Sequence, residues 1–169
     1  MHEPEQQRIF DEWFSTHQGL LIKVVRAYAA SAHDREDLLQ EIAFQVWNSI
    51  PAFRHDSAVT TWIYRVALYC GIAWSRKEGR LRERRRPLVP EHSPILQPIE
   101  ADPRVDWLYE QIARLDPVDR SLILLLLDGF SYREMAATLG ISESHVGVKI
   151  NRIKKTLAGR TKARSLDGL

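Results

Sequence analysis

The stretch SYREMAATLGISESHVGVKINRIKK (Ser131–Lys155) governs how the rest of the chain is read. Ser131 followed three residues later by Glu134 fits a capping box, which predicts a helix starting at Tyr132. Met135, Ala136 and Leu139 recur at helical spacing. Gly140 suits the left-handed conformation that ends a helix, Ile141 plugs the turn, and Ser142 can cap a second helix. In that second helix Val146, Ile150, Ile153 and Leu157 fall on one stripe. Ser144, His145, Val148, Lys149, Asn151, Arg152 and Lys155 fall on the opposite face. Two helices joined by a tight glycine turn, the second with a polar and basic outer face, make a helix-turn-helix. An ordinary helical hairpin with a solvated face is the competing reading. The agreement of both caps, the turn chemistry and the basic face favours the nucleic-acid-binding one.

Beyond this stretch, apolar spacing is helical nearly throughout and strand-like alternation is scarce, so an all-α protein is expected. The 169 residues suit one domain or two small ones. A hydrophobic fraction of 44% is enough for a core, and the formal net charge is only +2. That small number hides a strong polarity. Residues 1–75 carry 6 basic and 9 acidic side chains, and residues 76–104 carry 8 and 5. Residues 105–144 carry 3 and 7, and residues 145–169 carry 7 and 1. Positive charge therefore gathers at the end of each half, a placement that suits two separate contacts with phosphate backbone. The lone Cys70 excludes a disulfide within the chain and a cysteine-based zinc site. The start, MHEPEQQR, has no signal-peptide pattern, and the run LILLLL (Leu122–Leu127) is too short to span a bilayer, so a cytoplasmic protein is expected.

Four helices are predicted in the first half. They cover Gln6–Thr16, then Leu20–Ala32 after a break at Gly19, then a helix capped by Asp34 that stops before Pro51. The fourth starts at Thr60 or Thr61 and runs into the basic stretch Arg76–Arg86. Five of the eight prolines (Pro87, Pro90, Pro94, Pro98 and Pro103) follow, which forbids helix and marks residues 82–101 as an interdomain linker. Asp102-Pro103 and Asp116-Pro117 each read as a helix start. The expected architecture is two small helical domains, residues 1–81 and 102–164, joined by a Pro-rich linker. The last helix is expected to end near Ala158, with a fraying tail.

In this order, DREDLLQEIAFQVW (Asp34–Trp47), FRHDSAVTTWIYRVAL (Phe53–Leu68), a linker, and the stretch Leu115–Leu157 resemble the extracytoplasmic-function (ECF) sigma factors of bacterial RNA polymerase. These are minimal members of the sigma-70 family that keep region 2 and region 4. The resemblance covers about residues 8–160. It implies a protein that directs core polymerase to specific promoters and assists strand opening, with no catalytic chemistry, metal or cofactor of its own.

The resemblance also implies residue roles. Asp37, Gln40, Glu41 and Phe44 match the D-x-x-Q-E-x-x-F motif on the helix that docks on the β′ clamp helices of core polymerase. Their spacing of three, four and seven puts them on one helical face. Arg54, His55, Asp56 and Ser57 fall in the loop that captures a flipped base of the −10 element. Trp62, Tyr64, Arg65, Tyr69, Arg76, Lys77 and Arg80 follow on the next helix. Aromatic rings there can stack on an unpaired base and cations can hold phosphates. Trp62 sits at a core-like position and is expected to pack the loop. The family often carries N-x-x-x-D-x-x-R in this helix. Here those positions are Tyr69, Ala73 and Arg76, and only the arginine is kept, so a shifted −10 preference is expected.

In the helix-turn-helix, Arg133, Ser144, His145, Val148, Lys149 and Arg152 are the candidates for the −35 element in the major groove. The family's region 4 also binds the β flap of the polymerase. Regulation by an anti-sigma factor, often membrane-bound in the family, is the expected control.

Two other readings compete with this one. A LuxR-type regulator shares the pattern of Leu115–Val146, but residues 1–100 lack the βα repeats and Gly-rich turns of its usual upstream domain. A metal phosphohydrolase would need His33-Asp34 and His55-Asp56 as ligands, but no further histidine stands at ligand spacing.

Overall fold

The computed structural model describes residues 2–82 and 102–167, with the backbone alone at 79–82 and 167. Eight α-helices and one 3-10 turn are the regular elements of the described residues, which contain no strand. The predicted linker, apart from Arg82, and Arg84 to Arg86 of the basic run lie outside them. The chain divides into two compact units, residues 1–106 and 107–169.

The first unit is built from α1 (Glu3–Thr16), α2 (Gln18–Tyr28), α3 (Ala32–Ser49) and α4 (Val59–Arg82), with the 3-10 turn Ile50–Ala52 after α3. Leu21, Val24, Val25 and Tyr28 of α2 face Leu38, Ile42 and Val46 of α3 and Ile63, Ala67 and Leu68 of α4, all buried. Spacings of three and four residues line these side chains on one face of each helix, which is what closes the bundle.

Several boundaries differ from the sequence reading, each for a local reason. Gly19 lies inside α2. The break before it falls at His17, whose ring Nδ1 pairs with the Trp13 carbonyl oxygen at 2.7 Å. Asp34 is not the cap of α3. Ser31 is, its hydroxyl accepting from the Asp34 N–H at 3.0 Å, which leaves Asp34 in the first turn where the helix dipole favours a carboxylate. Tyr64, grouped with the loop-side aromatics by sequence, is fully buried in the core.

In the second unit α5 (Pro103–Ala113) from Trp107 on, α6 (Pro117–Leu127), α7 (Tyr132–Leu139) and α8 (Glu143–Asp167) surround Ile112, Leu122, Leu125, Met135, Val146, Ile150 and Ile153. Both reciprocal bonds of the Ser131–Glu134 capping box form, at 2.7 and 3.1 Å. Gly140 closes α7 at φ 68°, a conformation that costs glycine nothing and other residues an eclipsed Cβ. The expected fraying near Ala158 does not occur. α8 continues to Asp167 because its last turns pack back on α5. Arg160 donates to the Gln111 carbonyl at 3.1 Å, and the Arg164 guanidinium lies 5.2 Å from the centre of the Trp107 ring.

Candidate functional site

α3 has two faces. Leu38, Ile42 and Val46 bind it to the core, and the opposite stripe carries Asp37, Gln40, Glu41 and Phe44. Phe44 is 59% exposed, so it is not a core residue. A large aromatic side chain kept in water beside carboxylates and an amide is the composition of a docking surface. Asp37 pairs with His33 at 3.3 Å, one turn back on the same helix, and Glu41 accepts from Gln45 at 2.9 Å.

An open groove of about 630 Å³ separates this stripe from α4. Asp37 and Glu41 line one wall, and Arg65, Tyr69, Trp74 and Lys77 the other. Cys70 also reaches it. Burial, and after it the nearby charge of Glu41, push its thiol up to about 12, so it stays protonated and unreactive at neutral pH.

The loop between the 3-10 turn and α4 is organised by Phe53. Its ring meets Trp13 of α1 edge-on at 5.1 Å, His55 at 4.6 Å and Trp62 of α4 at 5.4 Å. The Trp62 indole donates to Ser49 Oγ at the end of α3 at 2.9 Å, and together with its contact to Phe53 this ties α4 to both α3 and the loop. His55 takes φ 60°, a left-handed conformation costly for a residue with a Cβ and held here by the ring contact. Arg54, His55 and Asp56 are exposed on the loop and Ser57 is half-buried. On the adjoining helix Tyr69 is 48% exposed, Arg76 and Lys77 are exposed and Arg65 is half-buried. The side chain of Arg80 is outside the described residues.

In the second unit Arg133, Ser144, His145, Val148 and Arg152 are exposed. Val148 is 70% exposed, an apolar side chain standing in water on a polar face. Ser142 Oγ accepts from the His145 N–H at 3.2 Å and so starts α8 as predicted. Lys149 differs from the sequence expectation of an outward cation. Its amine is turned inward to Asp119 of α6 at 2.9 Å, and its side chain is only 17% exposed. Arg152 reaches the other oxygen of the same carboxylate at 3.3 Å. Sequence reasoning missed Asp119 because it passed for one more first-turn acid after Asp116-Pro117. Nothing local signals a partner 30 residues away.

Among the described residues no three His, Cys, Asp or Glu side chains are grouped to hold a metal ion, and no helix is long and apolar enough to cross a membrane.

Known proteins share both units. The family profile "Sigma-70 region 2" matches residues 13–81, and "Sigma-70, region 4" matches residues 106–157. The ECF RNA polymerase sigma factor SigE of Mycolicibacterium smegmatis is 27% identical over 154 residues, covering 88% of this chain. This chain spans 60% of the length of that relative. SigX of Bacillus subtilis, also an ECF sigma factor, is 28% identical over 89% of this chain and 82% of its own. The ECF sigma-E factor of Escherichia coli is 26% identical over 89% of this chain and 85% of its own.

Two solved structures share the fold. CnrH in complex with the cytosolic domain of CnrY has a TM-score of 0.65 at 23% identity, over 93% of this chain and 90% of that one. The sigma factor RpoE in complex with the anti-sigma factor NepR, from Bartonella quintana, has a TM-score of 0.64 at 20% identity, over 88% and 98%. A match across residues 13–81 to region 2 leaves no place for the LuxR-type alternative, whose upstream half would be something else. With both profiles in the order region 2 then region 4, and ECF factors as its relatives, the chain belongs to the sigma-70 family of RNA polymerase sigma factors, in its ECF branch.

Proposed function

We propose that this chain binds core RNA polymerase, brings it to promoters with a −35 and a −10 element, and helps open the strands. The observation that carries the reading is the exposed stripe of Asp37, Gln40, Glu41 and Phe44, because a stand-alone DNA-binding protein has no use for a solvated phenylalanine on the helix beside its basic face. This stripe docks on the β′ clamp helices. The first unit, with the role assigned to residues 1–81, handles the −10 element. The braced loop of Arg54, His55, Asp56 and Ser57 receives an unpaired base, with Trp62 behind it. Arg65, Arg76, Lys77 and Arg80 hold the strand, and Tyr69 offers a face for stacking.

The second unit, with the role assigned to residues 102–164, presents α8 to the major groove of the −35 element through Ser144, His145, Val148 and Arg152. Arg133 clamps a phosphate from α7. The same unit meets the β flap. An anti-sigma factor controls the chain by covering these surfaces. Support comes from the two solved structures that share the fold, one in complex with the anti-sigma factor NepR and one with the cytosolic domain of CnrY.

The experiment is run-off transcription by purified core polymerase with the full chain on a promoter library. New start sites that appear with the wild-type chain and vanish with Asp37→Ala plus Gln40→Ala support the reading. Duplex binding without any new start, with or without core polymerase, overturns it.

A further inference from the structure

Asp119 stands apart from the machinery assigned so far. It lies in the first turn of α6, is only 6% exposed, and holds two cations of α8 at once. Lys149 Nζ donates to Oδ1 at 2.9 Å and Arg152 Nη2 donates to Oδ2 at 3.3 Å. Lys149 and Arg152 are three residues apart, so both project from one side of the recognition helix. Yet their exposures differ sharply, 17% against 64%. The lysine head is consumed by the carboxylate. The arginine gives it one nitrogen and leaves the rest of the fork in solvent.

We infer that Asp119 is a positioning residue for −35 recognition: it withdraws Lys149 from the DNA face and aims the guanidinium of Arg152 at it. The inference rests on the −35 role proposed above. A free lysine is a point charge on a flexible stem and meets phosphate at any sequence, whereas an arginine held in one orientation can address a base edge with two donors. Placing a buried carboxylate beneath the pair therefore lowers sequence-independent attraction and sharpens what remains. Val148 and His145, which make no bond to Asp119, then stand beside one oriented cation instead of two mobile ones. Asp119 itself touches no DNA. It acts through Lys149 and Arg152.

Two measurements on the full chain test this. The first is amine acylation of the free protein, followed residue by residue by mass spectrometry. Lys149 should react severalfold more slowly than the exposed Lys154 of the same helix, and Asp119→Asn should remove the difference. Equal rates in the wild-type chain overturn the inference whatever the promoter results.

The second is selection by the holoenzyme, assembled with core polymerase, from duplexes randomised across the upstream element at stepped salt. Asp119→Asn should lower the enrichment of the selected sequence over random duplex. It should also steepen the slope of log affinity against log salt by about 0.9 for each cation released onto a phosphate. Lys149→Met, which keeps the fold testable if the asparagine variant is unstable, should leave the wild-type slope unchanged. A slope shallower by about 0.9 in that variant would place Lys149 on a phosphate and overturn the inference. Unchanged enrichment and slope in Asp119→Asn sink the inference alone. A wild-type holoenzyme that enriches no upstream sequence sinks the −35 reading and the inference with it.

Discussion

Replacing Gly71 by alanine should destabilise the first unit, against the usual direction of that substitution in a helix. Gly71 lies inside α4, where alanine ordinarily gains about 1 kcal/mol over glycine. Here a Cβ would sit 2.5 Å from Cδ2, 2.7 Å from Cγ and 2.8 Å from Cε2 of Tyr28. Carbon atoms rest at about 3.5–4.0 Å, so the ring must retreat by roughly 1 Å. It has nowhere to go. Tyr28 is the last residue of α2, is 6% exposed, and is struck near the root of its ring instead of at a mobile tip.

Overpacking of this kind costs about 1–3 kcal/mol, and the depth of the overlap places it near the upper end. Subtracting the propensity gain leaves a net loss of about 2 kcal/mol, a fall of roughly 8–16 °C in Tm for a domain of 60–100 residues. Gly159 in α8 is the matched control, because a Cβ added there would have nothing within 4 Å, so Gly159→Ala should stabilise the second unit by up to about 1 kcal/mol. Calorimetry of the full chain and of both variants reads the two effects. A Gly71→Ala chain as stable as wild type, or more so, would refute the claim that α2 and α4 are spaced by the missing methyl group.

Three further outcomes are expected from the same geometry. Phe53→Ala removes the ring that Trp13, His55 and Trp62 share, and at about 0.5–1.5 kcal/mol per aromatic pair the loop should lose its order. Permanganate footprinting should then show lost strand opening while polymerase binding is kept. Ser131→Ala should cost the second unit about 1 kcal/mol near neutral pH. The Glu134 carboxyl is held below its usual 4.5, first by the Ser131 backbone N–H, which the substitution keeps, so that half of the box contributes above 4.5 in both chains and fades as pH falls through the lowered value. The hydroxyl that accepts from the Glu134 N–H does not titrate, so denaturant titrations should show the gap between the two chains persisting in acid. Tyr69→Asn should shift the −10 bases preferred in a promoter selection, since a stacking ring is exchanged for an amide that can pair with a base edge; an unchanged preference would remove Tyr69 from the readout.

The region from Ser131 to Ile153 was legible because every device in it is local. A cap, a turn glycine and a stripe act within four residues of one another, and each formed as the spacing predicts. The buried stripes of α2 and α3 were legible for the same reason. Helix ends were less so. Ser31 and Asp34 are both competent caps by residue type, and it is the bond from the Asp34 N–H to the Ser31 hydroxyl, formed only in the folded helix, that makes Ser31 the cap. The end of α8 was misjudged because its last turns owe their order to Gln111 and Trp107, distant in sequence. Phe44 was ambiguous by pattern, since a phenylalanine one turn beyond Gln40 and Glu41 fits a core stripe as well as a surface one. Its exposure in the folded chain is what separates the two.

Helical periodicity, caps and charge blocks were enough to lead to an all-α protein with a helix-turn-helix at Ser131–Lys155, and the family motifs were read from the resemblance of its stretches to ECF sigma factors. These properties depend on neighbours three or four residues apart. It takes the packed molecule to reveal that Lys149 faces Asp119 instead of solvent, that Phe53 gathers three rings around the loop, and that Tyr28 fills the space a side chain at position 71 would need. Those facts depend on which faces meet when helices pack, and packing brings together residues whose separation along the chain carries no trace of their contact.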